Sequence, residues 1–230
     1  MGIGAYIIYF IIIMIIPIWA QAKVRNAYSK YSQVENSTGM TGAQVARRIL
    51  DHNGLYDVQI EEVPGTLSDH YDPSDKVVRL STDIYHGNTI AGTAVAAHEV
   101  GHAIQDDKDY APLRMRHALV PLANIGSSLS WLFILAGMLL HLAGAALIGV
   151  IFFGMAVLFQ IVTLPVEFNA SSRALNQIVD LGIVQSDEKR HARKVLTAAA
   201  LTYVAAALVA VLELLRFILM FIGLNNNEND

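Results

Sequence analysis

The sequence predicts a mostly α-helical membrane protein in which four transmembrane helices carry a small α+β domain. Three observations predict it. Of 230 residues, 54% are hydrophobic and only 16% charged, whereas a soluble globular domain has about a quarter of its residues charged. Four apolar runs, at residues 3–20, 119–140, 142–164 and 197–222, are each long enough to cross the hydrocarbon core of a bilayer as a helix. The intervening segments, residues 21–118 and 165–196, are polar and carry caps, turns and strand-like stretches. The net charge of −4 gives no sign of a nucleic-acid partner. There is no cysteine, which excludes a disulfide framework, a thiolate metal site and a cysteine nucleophile. Any metal must sit on histidine and carboxylate.

The first run, 3–20, lacks the basic start and small-residue cleavage site of a signal peptide and is expected to be a retained helix. Trp19 suits the membrane interface, and Lys23 and Arg25 follow it. Residues 41–53 predict a helix capped by Thr41, with Gln44 completing a capping box and Gly54 stopping it. Residues 57–63, 66–71 and 76–81 are strand-like. They predict a small antiparallel sheet whose last strand is an edge, either open to an extended peptide or closed in a packed hairpin. Residues 110–117 are expected to be a connector.

Only His141 interrupts the second and third runs, which therefore form a transmembrane hairpin, with Gly144, Gly149 and Gly154 leaving room for close packing. Residues 170–182 predict a helix stopped by Gly182. A last helix, capped by Ser186, runs on through the fourth apolar run. Glu213 and Arg216 lie three apart in that run and can pair on one face. Residues 223–230 are expected to be a disordered tail.

Fifteen of the 16 Lys and Arg residues lie in the two polar segments, ten in the first and five in the second; Arg216 is the other one. The positive-inside rule places both segments in the cytoplasm and both termini outside.

The chemistry-bearing stretch is His98-Glu99-Val100-Gly101-His102 in the first polar segment. Its flanks, residues 89–105, contain no proline and are rich in alanine, so a helix is expected, with Asn88 or Thr89 as its cap. Residues i and i+4 share a helical face, so two imidazoles there can hold one Zn²⁺ while Glu99 takes a proton from water. Catalytic zinc takes three protein ligands. A third histidine six residues after His102 would fit one protease class, but that position is Lys108. Asp106 falls a turn beyond the histidines and suits a helix cap. Glu167 is the better candidate: it stands at the expected start of a helix, on the same side of the membrane, and would give the two-His, one-Glu set of a gluzincin. The alternative for Glu167 is a carboxylate favoured by the helix dipole.

Here the sequence resembles the YugP-type neutral zinc metallopeptidases, bacterial membrane proteins of about this size. The resemblance rests on the N-terminal span, Asp69-His70-Tyr71-Asp72-Pro73, His98 through Gln105, the hairpin, and Pro165-Val166-Glu167-Phe168 leading into Ala170-Ser171 and Arg173-Ala174-Leu175. More distantly the layout is similar to the HtpX heat-shock protease and the CAAX prenyl protease. The resemblance implies a zincin-like catalytic domain on the cytoplasmic side of the bacterial inner membrane, one Zn²⁺ per chain on His98, His102 and Glu167, and Glu99 as the base. In one departure, the aspartate expected four residues after the ligand glutamate is Ser171; Asn169, Asp83 or a backbone carbonyl are candidates to orient a ligand histidine in its place. His70 is a candidate for contact with substrate or oxyanion, or else a turn histidine. Arg173 is a candidate to steady a substrate carbonyl or a neighbouring carboxylate.

The expected function is a zinc-dependent endopeptidase acting on membrane or membrane-proximal proteins at the cytoplasmic face, with a peptide substrate and the lipid bilayer as partners. The alternative is a non-enzymatic zinc-stabilised scaffold with a closed four-ligand site, to which Asp106 or His70 adds the fourth ligand.

Overall fold

The computed structural model describes residues 3–229. In order, they form α1 (Ile3–Tyr31), α2 (Gly42–His52), β1 (Gln59–Val63), β2 (His70–Asp72), β3 (Val77–Ser81), α3 (Thr82–His86), α4 (Ile90–Asp107), α5 (Ala111–Leu140), α6 (Ala143–Asp180) and α7 (Ser186–Asn229). The chain divides into two compact units. One comprises residues up to 18, 114–165 and from 203 on; the other comprises 19–113 and 166–202.

Helices α1, α5, α6 and α7 are long and apolar enough to cross a membrane. In the first unit, α1 exposes Ile7, Ile8, Ile11, Ile12 and Ile15. Such a surface is unfavourable in water and suits lipid. At Gly149 an added Cβ would lie 2.9 Å from the Ser130 carbonyl oxygen, so the hairpin helices touch there through backbone. Gly144 and Gly154, expected to do the same, face open space. Arg216 pairs with Glu213 on α7, and the Tyr9 hydroxyl donates to Glu213 Oε1 at 2.8 Å.

The second unit is built on α2, α4 and the sheet. The α2 capping box forms as expected: Gln44 N donates to Thr41 Oγ1 at 3.3 Å and Thr41 N donates to Gln44 Oε1 at 3.0 Å. Val45, Ile49 and Leu50 are fully buried. The sheet differs from the expected antiparallel one. Its order is β1-β3-β2, with β1 parallel to β3 and β2 antiparallel to it. The strand expected at the edge is thus the central one. The reason is burial: Val77, Val78, Leu80 and Ser81 are all buried, as in a strand covered on both faces. Asp69 accepts from Ser81 N and Oγ at 2.7 and 3.0 Å, while Arg79 pairs with Glu61, Asp72 and Asp75, tying the three strands together.

Four helix boundaries also differ. The expected connector at 110–117 lies mostly in α5, because Pro112 falls in the first helical turn, where its missing N–H has no helical partner to lose. Pro165 does not start a new helix; α6 runs through it. Beyond the proline, Val166, Ala170, Ala174 and Ile178 form a four-residue-spaced stripe of nearly complete burial, and this packing outweighs the break. Ser186 is the first residue of α7 and not its cap; Glu188 fixes that end by accepting from Gln185 N and Ser37 N, each at 2.7 Å. Finally, α7 continues to Asn229, where a tail was expected, since no proline interrupts it.

Candidate metal centre

Helix α4 starts where the Thr89 hydroxyl accepts from Gly92 N at 3.1 Å. Ala91, Ala94, Ala96 and Ala97 bury its face with small side chains, which lets neighbouring elements approach closely. The closest approach is at Gly101. A Cβ there would meet the Ala170 carbonyl oxygen of α6 at 2.7 Å, so only glycine fits between the two histidines of the motif.

That contact brings Glu167 onto the histidines. His98 Nε2 lies 3.2 Å and His102 Nε2 3.6 Å from Glu167 Oε2. The two imidazoles are 13% and 12% exposed, and the Glu167 side chain is 1% exposed. Among the described residues, these three are the group whose ligand atoms converge closely enough to hold a metal ion, all within 4.8 Å of one another. Glu99, in the same motif, is buried.

Both imidazoles are oriented from behind. His102 Nδ1 lies 3.0 Å from Gln105 Oε1, which can only accept, so Nδ1 carries the proton. The Gln105 amide is fixed in that sense because its Nε2 donates to Val166 O at 2.8 Å and to Asn169 Oδ1 at 3.0 Å. Asn169 is fixed in turn by Arg173, whose Nε donates to the same Oδ1 at 2.7 Å. A single polarity therefore runs from the Arg173 cation to the His102 ring. His98 Nδ1 lies 3.2 Å from Ser171 Oγ.

The donor set fits zinc. In a tetrahedral site with bonds of about 2.0–2.2 Å, neighbouring ligand atoms are about 3.3 Å apart, close to the two nitrogen–oxygen separations of 3.2 and 3.6 Å. With its Nδ1 proton committed to Gln105, a neutral His102 turns the Nε2 lone pair towards a carboxylate oxygen. That arrangement is repulsive unless a proton or a cation lies between them. Without metal, a proton takes that place. Burial acts to raise the Glu167 pKa, but hydrogen bonds and charge from His102 and His98 outweigh it and hold the carboxyl well below its usual range. Burial also acts to lower the His102 pKa, and the bond to Glu167 with the charges of Glu99 and Glu167 raises it instead.

The chain matches the family described as "Putative neutral zinc metallopeptidase" over residues 6–222. The chain belongs to this family. It is 54% identical over 211 residues to "Putative membrane protease YugP" of Bacillus subtilis (strain 168), covering 92% of this chain and 93% of that protein. No solved structure matches it significantly. The family name implies zinc, and membership agrees with the four long apolar helices of a membrane protein.

The other residues singled out in the sequence have different positions. His70 opens β2, exposed, with Nδ1 2.8 Å from Ser68 O. Asp106 accepts from the Tyr71 hydroxyl at 2.9 Å, a contact between α4 and the sheet. Arg173 sits on Asn169. Asn169, a candidate to replace the missing aspartate behind His98, instead stands behind Gln105, and Ser171 itself reaches His98. Gln105 was not singled out as a supporting residue. Its signal was present: it lies three residues after His102, on the same helical face.

Gln105→Leu is expected to weaken zinc binding by about 10–100-fold, measured by competition with a chromogenic chelator, with Arg173→Gln weakening it less. Unchanged affinity in Gln105→Leu would remove the orienting role. Zinc needs neutral imidazoles, and the His102 pKa lies above the ordinary 6.5, so affinity should begin to fall above pH 6.5 as pH drops. Calorimetry in buffers of different ionisation enthalpy should show protons released on zinc binding near about pH 7; no release would contradict the raised pKa.

Proposed function

We propose that the chain is a membrane-embedded zinc endopeptidase that hydrolyses peptide bonds of membrane or membrane-proximal proteins at the cytoplasmic face. The observation that carries this reading is the convergence of His98, His102 and Glu167 beside the buried carboxylate of Glu99. Zinc bound there would supply Lewis acidity, making water nucleophilic near neutral pH and polarising a peptide carbonyl.

The remaining chemistry belongs to the chain. His98, His102 and Glu167 would hold the ion with two neutral donors and one charged donor, the gluzincin set. Gln105 and Ser171 would keep the two rings aimed at it from their Nδ1 sides. Glu99 would accept the proton of the attacking water and return it to the leaving amine, which requires one carboxylate to serve as base and then as acid. A closed structural site would need a fourth protein ligand. The two candidates for it are engaged elsewhere: Asp106 accepts from Tyr71, and His70 lies against Ser68. A group of three protein ligands, one short of a closed tetrahedral site, favours catalysis over a scaffold.

The cytoplasmic assignment rests on charge, since fifteen of the 16 Lys and Arg residues lie in the two polar segments. Glu167 follows the third apolar run by three residues, which suits substrates close to the membrane.

Glu99→Gln should retain stoichiometric zinc and lose cleavage of an unfolded or membrane substrate by about 10²-fold or more, whereas Glu167→Ala should lose zinc. Undiminished cleavage by Glu99→Gln would sink the assignment of the base. With no native cysteine, a single cysteine placed at exposed Lys108 reports sidedness directly. Labelling of intact cells by an impermeant maleimide would place the segment outside and overturn the orientation.

A further inference from the structure

Beyond the metal centre, a groove of about 330 Å³ lies in the second unit between α6 and α7. Its polar side chains are Ser171 and Ser172 of α6 and Arg193 and Thr197 of α7. All four can donate hydrogen bonds and none is acidic. Arg193 is exposed and has no acidic partner among the described residues. The rest of the lining includes Leu175 and Leu196, both buried and aliphatic. One side of the groove therefore suits a phosphate and the other a hydrocarbon.

Its place in the sequence narrows the occupant. Arg193 stands one helical turn before Thr197, where the apolar run of α7 begins. A guanidinium at that point of a membrane-crossing helix lies at the level of lipid headgroups. Lys189, Arg190 and Lys194 on the same turns add to the positive potential that attracts an anionic headgroup. A free anion would leave the aliphatic side of the groove wet, and a zwitterionic lipid would bring its own cation against Arg193.

We propose that this groove binds one anionic phospholipid, with the phosphodiester on Arg193 and the serine and threonine hydroxyls and the glycerol and upper acyl chain over Leu175 and Leu196. The lipid would then lie against Ser171, whose Oγ is 3.2 Å from His98 Nδ1. The site is independent of whether the centre is catalytic.

The test is native mass spectrometry on the full-length protein in mild detergent, titrated with phosphatidylglycerol or phosphatidylcholine. One phosphatidylglycerol is expected to bind at least about tenfold tighter than phosphatidylcholine, and Arg193→Gln should remove that preference. Arg193→Glu should abolish the bound adduct. Arg190→Gln, which removes a charge from the same helix outside the groove, should lower the preference far less than Arg193→Gln does. The thermal unfolding midpoint of each variant confirms that the exposed substitution has not unfolded the chain. Equal losses in Arg193→Gln and Arg190→Gln would show diffuse surface attraction and overturn the proposal. So would equal binding of the two lipids, or displacement of the lipid by millimolar inorganic phosphate, which would mark a site for soluble anions.

Discussion

A carboxylate that is 1% exposed is the constraint on which the second unit turns. Glu167 is charged and buried, and such a group is tolerated only when paired. Its partners come from a helix more than sixty residues earlier in the chain, so α4 and α6 must cross at one particular place. The glycine between the motif histidines, the run of alanines on α4 and the small Ala170 opposite are all requirements of that crossing. Once it is made, the two imidazoles and the carboxylate need a positive charge between them, and the protein chooses between a proton and a metal.

The outer layer of the centre follows from the same crossing. Gln105 belongs to α4, while Val166 and Asn169, which hold its amide, belong to α6. The glutamine is thus both a support for His102 and a hydrogen-bonded strut between the helices. Buried polar chains of this kind are favourable only when every member is satisfied, and here each amide has its orientation dictated by the next, back to the Arg173 cation. Behind His98, Ser171 offers a neutral hydroxyl, its Oγ 3.2 Å from Nδ1. The charges that act on His102 come from Glu99 and Glu167.

Much of this was legible in the sequence, and for identifiable reasons. The α2 capping box and the His-Glu-x-x-His helix are local patterns, written within one or two helical turns. The apolar runs are long enough to be unambiguous by length alone. Glu167 could be named because the chemistry demanded a third ligand and few carboxylates qualified. What escaped the sequence was non-local. The sequence predicts β3 at an edge because order within a sheet depends on which strand the helices cover, and the double-sided burial of Val77 and Val78 exists only in the folded sheet. The sequence puts Glu167 at the start of a helix and not inside one, because the stripe that carries α6 through Pro165 is legible only once α4 is known to lie against it. Gln105 sat inside a recognised motif, but its role depends on a backbone carbonyl 61 residues away.

The hydrogen bond from Tyr9 to Glu213 bears on how the protein is made. During synthesis the first helix enters the bilayer long before the last one leaves the ribosome. Until then Tyr9 has no Glu213 to meet. The Glu213–Arg216 pair, by contrast, is internal to one helix and can enter lipid as a neutral unit, at lower cost than two separate charges. The ends of the chain are therefore joined late, and a nascent chain stopped before its final helix would present a first helix still waiting for its polar neighbour, the form that a membrane quality-control system would recognise as unfinished.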